Sequence, residues 1–462
     1  MTEAYIEVTG TNQRATQDTD AKKLETTELV NGDGKTVHRE GVFIGDPLDV
    51  DAKAQVSNTN PNLTDYGLVT RPIMPQSQFG EALTTKRTPI IQLNSVYGIN
   101  TPLRDAVEVT ETGTGTSAAT GEILLQTGSN ADGAYTLESA EIGRYIPGYG
   151  AEFGIGIRYP FTPTGTQTAK WGGETADGNN AFIFGHDADT LYVARIQGGV
   201  ELNRADKADW NIDPLDGTGA SGYTLDETVG IIYQIRYTWY GYGQIIFGIL
   251  GVVGQQQTFI PVHQISNEDF IGTSINDPSL RVFATVDNGG TTASNFQLYV
   301  GGRQYSIIGD YRPKFRFTGH IRSQRTVGDG VMTPLVSFRF KSAFNGRSVK
   351  IDGYDMINVG SNNPVYIEVR LNGTLTGPSW ATPNNYTAAD TALEADSTAT
   401  AITGGNVVWA GDIIPAGDKK QSAANEKFID LDLPRNGTFT LCAAGFGGTS
   451  EIISGFRMNE EW

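Results

Sequence analysis

The sequence predicts an all-β protein: an extended N-terminal arm, then a jelly-roll or lectin-like β-sandwich, then a second, C-terminal β-sandwich. Short apolar runs alternate with polar residues in period two, which is typical of half-buried strands. Glycine accounts for 57 of the 462 residues without a regular period, as expected for many tight turns between strands. Helix formers are scarce, and only residues 388–396 offer a short stretch of them.

The segment from Trp210 to Ile249 carries the clearest of these patterns. Its turn-rich first part leads into an alternating stretch in which five residues share one parity: Ile231, Tyr233, Ile235, Tyr237 and Trp239. Gly241-Tyr242-Gly243 then reverses the chain, and residues 244–249 resume the alternation. The two runs predict a β-hairpin joined by a glycine-bearing turn.

Residues 1–85 are polar and contain only short apolar patches, each too small to carry a core. Such a segment commonly becomes ordered by lying along another surface or by adding a strand to it. We therefore interpret residues 1–85 as an attachment arm, with a mobile tail as the alternative. The residues predicted to dock this arm are the apolar members of its patches: Phe43, Ile44, Tyr66, Leu68 and Val69.

Residues 86–312 contain a series of predicted strands at spacings of roughly 10 to 20 residues, separated by Gly, Asn and Asp. This arrangement favours an antiparallel sandwich of the jelly-roll or lectin-like kind. The strands are predicted at 90–93, 122–125, 152–159, 181–184, 191–196, 231–239, 244–249, 280–286 and 296–300.

Residues 313–462 predict a second β domain. The strand predicted at 366–371 ends at Asn372-Gly373, which is a hairpin signal. Residues 428–433 alternate as well, and this places Ile429, Leu431 and Leu433 inward and the two intervening aspartates outward.

The overall charge limits the partners of the chain. With 34 basic and 52 acidic side chains, its net charge of −18 argues against binding to a nucleic-acid backbone, because phosphate affinity comes from clustered Lys and Arg. The single cysteine, Cys442, excludes an intramolecular disulfide and is interpreted as a buried strand thiol. No signal peptide and no membrane span are recognised in the sequence, so we expect synthesis and folding in the cytoplasm.

No arrangement of residues predicts catalysis, a cofactor or a metal site. The four histidines have no metal-binding or nucleophile–base spacing, and the Asp-rich turn 186–189 lacks the further ligands of a calcium loop. Glycosidases with a lectin-like sandwich carry Glu-x-Asp-x-x-Glu on one strand. The nearest run here, residues 430–435, has no glutamate and contains a proline. We therefore expect the protein not to be an enzyme.

Exposed aromatic residues are the remaining sign of function. Tyr240 and Tyr242 flank the tip of the predicted hairpin, and Tyr145 and Tyr149 flank Ile146-Pro147-Gly148. Loop tyrosines can stack on sugar rings or contact a neighbouring subunit. The alternative is that all four pack over the edge of their own sandwich.

Several motifs lie between residues 140 and 310: Glu141-Ile142-Gly143-Arg144-Tyr145-Ile146-Pro147-Gly148-Tyr149, Trp210-Asn211, Leu215-Asp216-Gly217-Thr218-Gly219, Ser221-Gly222-Tyr223-Thr224-Leu225-Asp226, Tyr237-Thr238-Trp239-Tyr240-Gly241-Tyr242-Gly243 and Tyr299-Val300-Gly301-Gly302-Arg303-Gln304-Tyr305-Ser306. Together they resemble a module of structural proteins from tailed bacteriophages and other large DNA viruses. Ala220 departs from the proline that this module has in the corresponding turn. Near the N-terminus, Gly45-Asp46-Pro47 followed by residues 64–71 resembles the attachment segments of phage fibre and decoration proteins.

The resemblance implies a component of the virion, either a capsid decoration protein or head fibre, or else a tail fibre. The arm would bind other virion proteins, and the β domains would project and associate with copies of themselves, as a homotrimer. The alternative function is a carbohydrate-binding adhesin that recognises host-surface glycans. A polysaccharide-degrading enzyme is a third hypothesis, which the missing carboxylate motif disfavours.

Overall fold

The structure, a computed structural model, describes residues 25–30, 36–41, 87–101, 103–253, 256–309, 316–344, 347–359, 363–415, 419–423 and 431–461. The chain divides into two compact units, Met1–Pro75 and Gln76–Trp462. In the first unit, strands β1 (Glu25–Val30) and β2 (Thr36–Gly41) form an antiparallel hairpin. The five residues predicted to dock the arm, Phe43, Ile44, Tyr66, Leu68 and Val69, lie outside the described residues.

The second unit begins with a large β-sandwich, here called the first sandwich. Its strands are β3 Arg87–Leu93, β4 Asp105–Thr110, β5 Thr114–Ser117, β6 Ile123–Gln126, β7 Ala134–Ser139, β8 Gly150–Arg158, β9 Thr168–Glu174, β10 Asn180–His186, β11 Leu191–Gln197, β12 Val200–Asp206, β13 Ile231–Tyr237, β14 Ile245–Val253, β15 Gln256–Ile265, β16 Arg281–Asp287 and β17 Gln297–Ile308.

These strands form two antiparallel sheets. The seven-stranded sheet has the order β12-β11-β10-β9-β16-β7-β4. The eight-stranded sheet has the order β15-β14-β13-β8-β17-β6-β5, and β3 also pairs with β17. The strands next to each other in space are often distant in sequence, as β8 and β17 are, so the sandwich is built largely from non-local pairings.

The core lies between these sheets and is rich in aromatic residues. Trp171 of β9 packs against Tyr233 of β13, with ring centroids 4.9 Å apart. Phe184 contacts the same tyrosine at 4.9 Å, and both rings are buried. The parity predicted for strand β13 is therefore correct, because Ile231, Tyr233, Ile235 and Tyr237 all point into this core.

The second sandwich follows within the same unit. Its strands are β18 Arg316–Val327, β19 Thr333–Phe340, β20 Ser348–Asn358, β21 Val365–Leu371, β22 Thr374–Thr376, β23 Leu393–Asp396, β24 Ala401–Thr403, β25 Asn406–Ile414, β26 Lys419–Ala423, β27 Thr438–Gly445 and β28 Ser450–Glu461. Short 3₁₀ turns occur along the unit at Ser95–Tyr97, Lys207–Asp209, Asn267–Asp269 and Ser342–Phe344.

A four-stranded sheet, β18-β28-β20-β26, and a five-stranded sheet, β23-β19-β27-β21-β25, enclose the core of the second sandwich. Strands β22 and β24 form a separate pair. The all-β prediction is thus confirmed, and no helix among the described residues has the length and apolarity needed to cross a membrane.

Two local predictions for the second sandwich are wrong, and the helix formers of residues 388–396 end in strand β23, which pairs with β19. Asn372 has a positive φ of 57° as a turn residue, yet β21 pairs with β25 and β27 instead of forming a hairpin with β22. Asp432, predicted to point outward, is buried and accepts a hydrogen bond from Ser348 Oγ at 2.6 Å. In each case a non-local partner outweighs the local signal.

Candidate functional site

The four candidate tyrosines lie at one end of the first sandwich but differ in exposure. Tyr240 and Tyr242 are 56% and 64% exposed. Tyr149 is half-buried, and its ring packs against Gly309. Tyr145 is buried and stacks on Tyr237 with ring centroids 5.5 Å apart. The ring of Tyr145 therefore belongs to the core, and Tyr240 and Tyr242 form the exposed part of the predicted set.

The hairpin that carries the exposed tyrosines is fixed at its base. Trp239 Nε1 donates to the Ile275 carbonyl at 3.2 Å, and Ser274 N donates to the Gly241 carbonyl at 2.8 Å. Within the turn, the Tyr242 amide donates to the Trp239 carbonyl at 2.8 Å. The turn is thus tied both to itself and to the loop that precedes β16.

Tyr240 adopts a backbone conformation that is rare for its residue type. Its φ of 43° lies in the left-handed region, and the following Gly241 has a φ of 86°. A bulky residue in this region costs on the order of 1–3 kcal/mol and persists only where the surroundings enforce it. Such strain is more common at functional sites than elsewhere, which makes this turn a candidate binding site.

A second cluster lies on the outer face of the seven-stranded sheet and was missed by sequence reasoning. Phe283 and Arg281 of β16 stand opposite Glu138 of β7 and Glu174 of β9, respectively. Glu138 and Glu174 are hydrogen-bonded to each other, and Arg281 NH1 donates to Glu138 Oε2 at 3.1 Å. The sheet therefore joins two carboxyl groups and a guanidinium group from three strands.

The two carboxyl groups titrate as a pair. Burial raises the pKa of Glu174 well above its usual range, and the neighbouring Glu138 raises it further. Burial also raises the pKa of Glu138, although Arg281 opposes this effect. The pair as a whole therefore retains a proton more readily than an isolated carboxyl group does, and that proton lies in the hydrogen bond between the two side chains.

The geometry of the pair differs from that of a glycosidase. Retaining enzymes separate their two carboxyl groups by roughly 5 Å and inverting enzymes by more, because a sugar lies between the groups. Glu138 and Glu174 are in direct hydrogen-bond contact. No spacing in the sequence could reveal the pair, because β7 and β9 are joined only through β16. Strand parity shows only that both side chains point away from the core.

A third feature is a cavity of about 540 Å³ between the two sandwiches. Polar contacts join the two sandwiches at the cavity and outside its lining. Arg435 NH1 donates to the Ala176 carbonyl at 2.9 Å, and both residues line the cavity. Outside the lining, Lys350 Nζ lies 3.0 Å from Glu141 Oε1. The charged residues that line the cavity are Arg144, Arg281, Arg347, Arg435, Asp177 and Asp277.

The Asp-rich turn after β10 is an ordinary turn. Asp187 Oδ1 accepts from the amides of Asp189 and Thr190 at 3.0 and 3.1 Å. Among the described residues, no group of His, Cys, Asp and Glu side chains has the geometry of a metal site.

His186 belongs to a buried structural network. Its Nε2 lies 2.9 Å from Glu227 Oε2, and Lys207 Nζ lies 3.0 Å from Glu227 Oε1. Burial alone would raise the pKa of Glu227, but hydrogen bonds from His186 and Lys207 outweigh it and lower the pKa to about 2. Glu227 thus stays ionised and holds the loop before β13 against β10.

No protein-family model and no curated protein matches the sequence. Among solved structures, a Bacillus licheniformis β-glucanase is similar with 11% identity and a TM-score of 0.31, over 46% of this chain and 97% of the other. Arcelin-5, a lectin-like defence protein from Phaseolus vulgaris, has 10% identity and a TM-score of 0.29, over 48% and 98%.

A carbohydrate esterase from the Shiga toxin-encoding bacteriophage phi24B is also similar, with 15% identity and a TM-score of 0.29, over 48% of this chain and 99% of the other. Identities this low concern the fold alone. The function of this chain therefore has to be argued from its own residues.

Proposed function

We propose that this chain is a surface protein of a bacteriophage particle that binds carbohydrate through the turn carrying Tyr240 and Tyr242. The observation that carries the glycan-binding part is the exposure of these two rings on a turn with a hydrogen-bonded backbone. Both rings are more than half exposed, and the backbone of Tyr240 is held in a strained conformation. A tyrosine side chain has only two torsions, so it loses little conformational entropy when a sugar stacks on its ring.

The surroundings of the turn support this role. A Cβ atom at Gly148 would lie 3.5 Å from the Tyr240 hydroxyl, so the loop containing Tyr149 borders the turn. A Cβ atom at Gly241 would lie 3.2 Å from Thr273 Cγ2, which places the loop before β16 on another side. Three loops therefore meet around the tyrosines and offer hydroxyl and backbone groups to a bound sugar.

A glycan array probed with the full chain tests this proposal. We expect the double variant Tyr240→Ala/Tyr242→Ala to lose at least tenfold in affinity for the glycans that the unaltered chain binds, since about 1.4 kcal/mol corresponds to tenfold. Tyr97→Ala is the matched control, because Tyr97 is 77% exposed but lies in the turn after β3. Equal binding by the double variant and the unaltered chain would refute the assignment.

The location on a virion rests on the sequence resemblance and on the division of the chain. Residues Met1–Pro75 form a unit separate from the body, an arrangement suited to an attachment arm. Phe43, Ile44, Tyr66, Leu68 and Val69 remain the proposed docking residues. Deletion of residues 1–80 is expected to leave a folded body that fails to incorporate into particles. Incorporation at the normal level would show that the arm is dispensable.

The proposed homotrimer has a candidate contact surface on the second sandwich. The outer face of its four-stranded sheet exposes Phe317, Ile321 and Ile357, which are 54%, 60% and 38% exposed. Apolar residues clustered on one exposed face often mark association surfaces. Light scattering on the full chain is expected to give three times the monomer mass, and Ile321→Glu is expected to lower it. A monomeric mass for the unaltered chain would exclude the trimer.

A further inference from the structure

The geometry points to a second binding site, in the cavity between the two sandwiches, for a compact anionic ligand with a carboxylate or phosphate group. This site is distinct from the tyrosine turn and does not depend on the glycan-binding role proposed for it.

The cavity is locally cationic. Four arginines and two aspartates line it, and Glu138 is paired with Arg281, so the excess is one positive charge, whereas the whole chain has a net charge of −18. The chain as a whole repels anions. Exposed charges farther away than about 10 Å are largely screened at 0.1 M salt, so the charges next to the cavity determine whether an anion binds there. Anion binding to this acidic protein therefore requires a local cationic site.

Arg281 lines the cavity although it is only 5% exposed. Its NH1 donates to Glu138, and its Nε is buried away from solvent. The remaining N–H groups of this guanidinium are therefore the donors that an anion in the cavity would meet. The bond to Glu138 fixes the guanidinium plane in advance.

The second sandwich contributes two further arginines to the cavity. Arg435 donates to a neutral carbonyl, that of Ala176, so this contact leaves its charge uncompensated. Arg347 donates to Asp277 through NH1. Each guanidinium has five N–H donors in a planar fork, which suits the oxygens of carboxylate and phosphate groups. Donors from both sandwiches thus converge on one cavity large enough for a monosaccharide-sized acid.

Calorimetric titration of the full chain in a low-salt, phosphate-free buffer tests the site. The probes are inorganic phosphate, glucuronate as a carboxylate-bearing sugar, and glucose as the neutral control. We expect saturable binding of phosphate, glucuronate or both, and none of glucose. Binding of phosphate alone would identify the ligand group as a phosphate, and binding of glucuronate alone would identify it as a carboxylate.

The variants Arg281→Lys and Arg347→Gln/Arg435→Gln are each expected to weaken binding at least tenfold. Arg316→Gln is the control, since it removes one arginine charge from β18, outside the lining of the cavity, and is expected to leave affinity unchanged. Melting curves establish whether each variant is folded. If Arg281→Lys does not fold, the test rests on the variant Arg347→Gln/Arg435→Gln, in which both changed arginines are exposed.

The proposal is overturned if neither anion binds to the unaltered chain at 10 mM, a concentration of about 100 times a Kd of 0.1 mM. It is also overturned if Arg281→Lys and the double variant, both folded, bind as well as Arg316→Gln. Neither result bears on the tyrosine turn, because the Tyr240→Ala/Tyr242→Ala variant retains every arginine of the cavity.

Discussion

The two sandwiches share an architecture but differ in the side chains that fill their cores. The core of the first contains large aromatic rings, with Trp171, Phe184 and Tyr233 in mutual contact. The second is mainly aliphatic, with residues such as Val336, Val369 and Leu441 at its centre. Large rigid rings fix the separation and register of two sheets more strictly than small side chains do.

The sandwiches also differ in how they treat buried charge. In the first, Arg303 and Asp105 form an ion pair at 2.7 Å with almost no exposure, and Glu152 is fully buried between Arg87 and Arg236. In the second, the side-chain ion pair of Arg339 and Glu394 is substantially exposed, at 42% and 29%. The buried Asp396 of the second sandwich accepts hydrogen bonds from Thr398 and from the Ala399 amide. Asp105 and Glu152 are thus buried against guanidinium groups, whereas Asp396 is buried against hydroxyl and amide donors.

The largest effect is expected from Trp171→Ala, which would leave a cavity at the centre of the first core. Removal of a buried large aromatic side chain costs about 3–5 kcal/mol. Urea unfolding followed by far-UV circular dichroism is expected to show this loss, and Trp171→Phe, which keeps a ring, is expected to lose less. If Leu441→Ala in the second sandwich costs more than Trp171→Ala, the contrast between the cores fails.

Asp105→Ala is expected to be nearly as damaging, at about 3–5 kcal/mol, because it leaves the Arg303 guanidinium buried without its counter-charge. Burial already lowers the pKa of Arg303, which shows how poorly the site solvates a lone cation. The double variant Asp105→Leu/Arg303→Met, measured by the same urea titration, is expected to recover part of the loss. Without recovery, the cost of Asp105→Ala would have to come from another contact.

Glu174→Gln is expected to stabilise the protein at pH 7 by on the order of 1 kcal/mol, since a tenfold change in proton affinity corresponds to about 1.4 kcal/mol. The raised pKa values mean that the folded protein retains a proton on the pair Glu138–Glu174 that the unfolded chain releases near the ordinary pKa of 4.5. Stability therefore falls as pH rises from about 4.5 through the raised pKa.

Melting temperatures between pH 4 and pH 8 measure this dependence. The fall should be smaller in Glu174→Gln, because glutamine keeps the hydrogen bond to Glu138 without a titrating group. An identical pH profile in the variant and the unaltered chain would mean that the pair Glu138–Glu174 does not retain this proton.

The smallest effect is expected from Glu394→Gln, which breaks the exposed pair with Arg339. Surface ion pairs contribute about 0.2–1 kcal/mol and are screened by salt. Arg339 also lies over the Trp380 ring, 4.4 Å from its centroid, and this contact is retained in the variant. Urea titrations at low and high salt measure the difference. A loss as large as that of Asp105→Ala would remove the contrast in buried charge between the sandwiches.

Sequence reasoning succeeded where the signal was local. The alternation from Ile231 to Tyr237 correctly predicted which side chains face the core. It was incomplete for the other face, because Gln234 is buried too and lies 3.4 Å from Glu152 of β8. Local sequence did not distinguish the exposed tyrosines from the buried one. Tyr145 and Tyr240 were both predicted to lie in loops, and only the packing of the folded chain buries the ring of Tyr145 and leaves that of Tyr240 at the surface.

By itself the sequence determined that this chain is all-β and which faces of its clearest strands are apolar, because a period of two residues is a property of the backbone of a single strand. Only the tertiary structure decided that Glu138 meets Glu174, that Arg281 reaches the cavity between the sandwiches, and that Tyr240 is displayed while Tyr145 is buried. Those contacts depend on the order and register of strands far apart in the chain, which no local pattern encodes.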